Sequence, residues 1–254
     1  MEEPLEVRIR GRPALVMMRT PGADEELVTG YLIGEGLAGA ARDVGPARLA
    51  EPADCGPGGL ESRGGDVLDL ADPELTRDPH DTRSLYSSSA CGACGKIDLS
   101  ELGIDAAPIR SPIAASLDTI AELPSRLRAG QEIFAATGGL HAAGAFSQAG
   151  ELLAVREDVG RHNAVDKLVG WAARAGALPA SDKLLCVSGR LSYEIVQKAI
   201  VAGFPIVAAV SAPSSLAVDL AERYRVTLCG FVRSGRMNVY AHSSRLRDRG
   251  APRE

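Results

Sequence analysis

Two cysteines three residues apart, Cys91 and Cys94 in the run Cys-Gly-Ala-Cys-Gly-Lys, offer the clearest chemistry in this chain. They follow a run of small residues, Ser87-Ser88-Ser89-Ala90, and each is followed by glycine. Glycine lets the backbone turn sharply and leaves the sulfur uncovered. Lys96, folded back, would favour thiolate over thiol, and the thiolate is both the nucleophile and the metal ligand. Three chemistries therefore stand open: an exchange or carrier thiol, a metal site, and a dithiol redox couple, in that order.

The order rests on what the neighbours lack. A structural zinc needs two further ligands, and there is no second Cys-x-x-Cys; Cys55 and a histidine would have to serve at long spacing. His141 invites a zinc-deaminase reading, but that motif needs Glu two residues on and a later Cys-x-x-Cys. Residue 143 is Ala and the cysteine pair comes first. A thioredoxin-like pair opens a helix after a hydrophobic strand. Ser87–Ala90 is no such strand, and Asp98–Ser100 is a weak helix former.

A second group of residues suits anions. Arg156-Glu157-Asp158-Val159-Gly160-Arg161-His162-Asn163, Ser188-Gly189-Arg190-Leu191-Ser192-Tyr193 and Ser211-Ala212-Pro213-Ser214-Ser215 each place hydroxyl, glycine or guanidinium at a predicted helix start. Helix N-termini carry unpaired N–H donors and partial positive charge, which suits phosphate. No Walker or Rossmann fingerprint accompanies them. The charge run Arg156, Glu157, Asp158, Arg161 and Asp166 reads either as a solvated salt-bridge network or as a functional loop, and its place after a buried strand favours function. His162 is either a ligand contact or a helix-start histidine held by a neighbour. Near the C-terminus, Arg233 and Arg236 flank a Ser234-Gly235 turn. The pair could grip a phosphate or a guanine edge, although turn chemistry alone reads it as a charged hairpin tip.

The elements that must position these groups divide into two parts. Leu5–Ile9 and Ala14–Met18 alternate as paired strands about a Gly11-Arg12-Pro13 turn, and Asp24–Gly36 reads as a helix with Asp24 as N-cap. The stretch Gly39–Ser89 is rich in Gly, Pro, Asp and Arg, with Asp66–Leu70 as a short strand, and reads as mobile. From Ile113 the pattern is regular. A helix Ser116–Leu127, capped by Ser116 or Asp118, is followed by Phe134–Gly139 leading into a helix or turn around Leu140–Ala145. Strands Leu152–Val155, Lys183–Val187 and Ile206–Val210 then alternate with helices His162–Arg174, Ser192–Ala202 and Ser214–Tyr224. Strands Val226–Phe231 and Met237–Ala241 close the chain. Such alternation predicts a mostly parallel sheet covered by helices, a three-layer α/β domain over 113–254 beside a smaller β-containing part over 1–112.

Composition excludes some classes. The chain has 254 residues, 45% hydrophobic and only 4% aromatic, so its core is aliphatic and closely packed. A net charge of -5 argues against nucleic-acid binding and against general attraction to acidic membranes. The sequence has neither a leader nor a bilayer-length apolar run, and its five cysteines are an odd number. These features predict reduced thiols and a cytoplasmic protein.

Taken in order, Arg19-Thr20-Pro21-Gly22, Gly30–Gly36, Cys91–Gly95, Thr137–His141, Arg156–Lys167, Ser188–Lys198, Ala212–Leu216 and Gly230–Tyr240 resemble the formate dehydrogenase accessory sulfurtransferase family, FdhD or NarQ. The run Glu-Asp-Val-Gly-Arg-His-Asn-Ala-Val-Asp-Lys is its most specific part. The resemblance implies a cytidine-deaminase-like fold without catalytic zinc. It implies a sulfur carrier that takes persulfide sulfur from a cysteine desulfurase and passes it to the molybdenum bis(molybdopterin guanine dinucleotide) cofactor, for delivery to formate dehydrogenase. Cys91 would carry the persulfide and Cys94 would share in the exchange. Phe231, Val232, Arg233, Ser234, Gly235 and Arg236 would hold the guanine dinucleotide, with Ser188, Gly189, Arg190, His162 and Asn163 completing the site. No catalytic metal and no membrane partner are expected, and a homodimer is compatible with it. The competing reading is a cofactor chaperone whose cysteines are structural or bind zinc.

Overall fold

The computed structural model describes residues 2–50, 66–76 and 106–248. Cys91, Cys94 and Cys55 lie outside the described residues, as do the expectations for 51–65 and 77–105.

The chain opens with a hairpin, β1 (Glu3–Ile9) and β2 (Arg12–Arg19). Its turn is Arg10-Gly11, one residue earlier than the sequence suggests, with φ 54° and 72°. Positive φ at both central residues matches the twist of the flanking strands. Helix α1 (Asp24–Gly34) follows. Asp24 is not its N-cap: that position is Ala23, in the left-handed region. The Asp24 carboxylate is instead gripped by Nε and Nη2 of Arg19, each at 3.0 Å, so a tertiary ion pair displaces the local cap. Helix α2 (Ala41–Val44), β3 (Ala47–Ala50) and β4 (Asp66–Leu70) complete a four-stranded sheet in the order β2-β1-β4-β3.

The remaining elements are β5 (Ala115–Ser116), α3 (Leu117–Ala129), α4 (Glu132–Thr137), β6 (His141–Phe146), β7 (Leu152–Asp158), α5 (Arg161–Arg174), β8 (Leu184–Val187), α6 (Tyr193–Val201), β9 (Ile206–Ala209), α7 (Ser215–Tyr224), β10 (Thr227–Arg233), β11 (Arg236–Ala241) and β12 (Leu246–Arg247). Six of these strands form one sheet in the order β11-β10-β9-β8-β6-β7. It is mixed, not mostly parallel: β8, β9 and β10 run together, while β6 opposes both of its neighbours and β11 opposes β10. The difference arises at His141–Phe146, expected as a helix or turn and observed as an interior strand. Alanine is the best helix former, but propensity is a small term, and burial between two strands and two helix layers overrides it. Small residues are needed there: a Cβ at Gly144 would stand 2.7 Å from Leu127 Cδ1 of α3.

Alternation along the strands builds three layers. Ala142, Phe146, Leu184, Cys186, Ile206, Ala208 and Cys229 face Ile120, Leu123 and Leu127 of α3. Ala143, Ala145, Leu185, Val187, Val207 and Ala209 face the helices α5, α6 and α7. That second cluster continues through α1 to Leu5, Val7 and Leu68 of the four-stranded sheet. Helix α1 lies against α5 at very close range, because a Cβ on Gly30 would run into the Asp166 carbonyl and one on Gly170 into that of Glu26. Ser116 caps α3, its Oγ accepting from Thr119 N at 3.0 Å, as the sequence suggests. Among the described residues no helix is long and apolar enough to cross a membrane.

Candidate functional site

Strand direction collects the candidate loops. Strands β7, β8, β9 and β10 share one direction, so Asp158–Gly160, Ser188–Arg190, Ser211–Ser214 and the β10–β11 turn all lie along one sheet edge. Because β6 is reversed, its first residue, His141, sits on that edge too. The N-termini of α5, α6 and α7 meet the same row. Adjacent loops are tied by backbone hydrogen bonds: Leu191 N donates to Ala212 O at 3.1 Å, Ser214 N to Leu191 O at 3.0 Å, and Phe231 N to Ser211 O at 3.1 Å.

The specific run Glu157–Lys167 proves to be mainly a fastener. Asp158 and Lys167 are fully buried and pair at 2.7 Å. Lys167 Nζ also donates to Thr20 O at 2.7 Å, Thr20 N donates to Asp158 Oδ2 at 3.0 Å, and Val159 N donates to Thr20 Oγ1 at 3.0 Å. Asn163 Nδ2 reaches Asp158 Oδ1 at 3.0 Å and Met18 O at 2.8 Å, so its amide is engaged with the N-terminal hairpin. Glu157 accepts from Ile133 N and Phe134 N, both at 2.8 Å, and satisfies the start of α4. Arg156 pairs with Glu26 of α1. Buried charge needs such complete pairing, since a lone buried ion costs several kcal/mol.

Arg161 and His162 of the run face the edge instead. Arg161 and His141 flank Gly189: a Cβ there would stand 3.3 Å from Arg161 Cδ and 3.5 Å from His141 Nδ1. His162 Nε2 lies 3.0 Å from Ser192 Oγ, and Ser192, the N-cap residue of α6, makes no side-chain capping hydrogen bond. Burial, then Arg161, Lys198, His141 and Arg190, hold the His162 imidazole down to about 3, so it is neutral. Burial and Arg161 also lower His141. Beneath His162, Lys198 is fully buried and meets Asp166 at 2.8 Å, Glu35 at 3.2 Å and Glu194 at 3.3 Å. Burial pushes Asp166 up to about 7 against the pull of Lys198, while the three carboxylates keep Lys198 charged.

At the other end of the row the β10–β11 hairpin is built for exposure. Ser234 and Gly235 have φ 50° and 73°, a two-residue turn of the kind that fits hairpin twist. Arg233 and Arg236 pair across its base, and both are exposed. Neither has an ion pair among the described residues. Phe231 is left-handed at φ 52°, within a register shift between Gly230 and Arg233. The bulge leaves Phe231 36% exposed while Val232 is wholly buried. A non-glycine residue held at positive φ costs of order 1–3 kcal/mol and tends to mark functional positions.

The structure thus brings Ser188, Gly189, Arg190 and His162 together and sets Phe231, Arg233, Ser234, Gly235 and Arg236 further along the same row. Ser188 also serves the sheet, its Oγ accepting from Ala142 N at 2.8 Å. Val232 enters the α3-side core, so its backbone alone is left for a ligand. The sequence presents Arg161 within an anion-suited loop and His141 only in a zinc-deaminase reading that fails; neither is among the expected cofactor-binding residues. Their signal was position, at the start of α5 and of β6 on the loop edge.

The family model for the FdhD/NarQ family matches residues 1–247. The sulfur carrier protein FdhD of Nocardia farcinica is 51% identical over 253 residues, covering 97% of this chain and 87% of that protein. That of Streptomyces coelicolor is 48% identical over 256 residues, covering 98% and 89%. A crystal structure from Desulfotalea psychrophila, described as that of a formate dehydrogenase accessory protein, superposes with a TM-score of 0.72 at 25% identity, covering 97% of this chain and 90% of that one. With such matches spanning nearly its whole length, the chain belongs to the FdhD/NarQ family.

Proposed function

We propose that this protein is a cytoplasmic sulfur carrier that takes persulfide sulfur from a cysteine desulfurase and passes it to the molybdenum bis(molybdopterin guanine dinucleotide) cofactor for formate dehydrogenase. The observation that carries the reading is its likeness along the whole chain to relatives named sulfur carrier protein. In the loading step the Cys91 thiolate attacks the outer sulfur of the donor's persulfide; the donor's S–S bond breaks, its thiolate leaves, and Cys91 holds the persulfide. Cys94 shares in the onward exchange. The cofactor is the acceptor, and the loop row suits its guanine and phosphates: Arg233 and Arg236 offer paired forks, Phe231 an exposed ring, and the starts of α6 and α7 their N–H donors. The reading extends to the fold, a cytidine-deaminase-type core, supported by the three layers and the reversed interior strand β6.

The test is mass spectrometry of the Cys91–Cys94 peptide after incubation with a cysteine desulfurase and cysteine. One added sulfur is expected in the wild type and in Cys94→Ala, and none in Cys91→Ala. No adduct in the wild type, or an unchanged yield in Cys91→Ala, overturns the reading. If Cys91→Ala leaves formate dehydrogenase activity intact while Arg233→Ala abolishes it, the protein is a cofactor chaperone instead.

A further inference from the structure

The opposite edge of the six-stranded sheet carries a second concentration of positive charge. A cavity of about 810 Å³ opens there, lined by Arg110, Arg225, Arg245, Arg247, His242 and Ser111 among others. Arg225 stands just before β10 and His242 just after β11. The β10–β11 turn is therefore at the far end of the same hairpin, roughly 20 Å away at strand rise.

Three observations make this cavity more than a basic surface. Its described lining contains no carboxylate, and Arg110, Arg225 and Arg247 have no ion pair among the described residues. Glu222, the neighbouring acid, is engaged by His242 at 3.2 Å. Arg245 spends Nη1 on Arg225 O at 2.6 Å and Nη2 on Ile109 O at 3.1 Å, but its Nε is buried with no hydrogen-bond partner. Burial and the neighbouring Arg225 both disfavour the Arg245 charge. Finally, Arg225 and His242 both hold left-handed backbone, φ 58° and 43°, where glycine or asparagine would be less strained.

Like charges gathered beside a buried, unpaired donor raise the free energy of the empty protein, and a bound oxyanion would lower it. Planar guanidinium forks match phosphate oxygens, and the cavity volume falls in the range of small-molecule sites. We propose that this cavity binds a phosphorylated small molecule of the pyrophosphate class, at a site separate from the loop row.

Calorimetric titration of the full chain with inorganic pyrophosphate tests the proposal. Wild type should bind. Arg110→Ala and Arg247→Ala, both exposed positions, should each weaken binding about tenfold with urea midpoints unchanged. Arg12→Ala, an exposed arginine of the N-terminal hairpin, should stay within about twofold of wild type. No binding by the wild type overturns the proposal. So does wild-type affinity in both Arg110→Ala and Arg247→Ala, or an equal loss in all three variants.

Discussion

The β7–α5 junction and the row of loops at the carboxyl edge use the same residue types to opposite ends. At the junction the buried Asp158 and Lys167 and the half-buried Asn163 are bonded to Met18, Thr20 and one another. Along the row Arg190, Arg233 and Arg236 are exposed, with no ion pair among the described residues. Charge density in the sequence therefore does not say which charges the fold pairs and which it leaves exposed. The densest motif fastens the N-terminal hairpin to the large sheet, and the sparser loops keep their arginines exposed.

The comparison breaks most decisively at Lys167. Lys167→Met removes one partner of a buried pair and strands the Asp158 carboxylate, which should cost about 3–5 kcal/mol. Urea denaturation measures it, and a midpoint equal to the wild type's would mean the junction fastens nothing. Leaving the Asp158–Lys167 pair intact, the same assay serves for the smaller effects below.

His162 stands at the boundary of the two regions. Its folded pKa is depressed to about 3 from 6.5. Between those values the unfolded chain binds a proton that the folded chain does not, so this contribution is fully present above pH 6.5 and is lost as pH falls toward 3. His162→Gln removes the titration, and the difference in stability between wild type and variant should shrink on acidification by on the order of 2 kcal/mol. A constant difference would place His162 with the exposed charges of the loop row rather than with the buried junction.

The smallest stability effect belongs to the hairpin tip. Arg236→Ala should change the unfolding free energy by less than about 0.5 kcal/mol, yet weaken the rise in melting temperature that GDP gives the wild type. Loss of stability without loss of the GDP effect would reverse the contrast between the two regions, and no GDP effect in the wild type would remove the row as a nucleotide site.

Much of the fold is legible in short stretches of sequence, because turns, caps and alternation depend on neighbours a few residues apart. Asp66–Leu70 as a strand, Ser116 as a cap and Ser234-Gly235 as a hairpin turn are all encoded locally. The same holds for the alternation that gives β8 and β9 two apolar faces. The family was legible too, since its motifs lie along the whole chain.

Tertiary structure alone decided the rest. His141–Phe146 became a strand because it fills the gap between β7 and β8, and its reversal placed His141 on the loop edge. Asp24 left its capping role because β2 delivers Arg19 beside it. Lys167 and Asp158 were set apart from Arg161 only when the N-terminal hairpin, distant in sequence, closed over them. Which charges are spent is a property of the surfaces that meet, and those meetings join residues that no local pattern links.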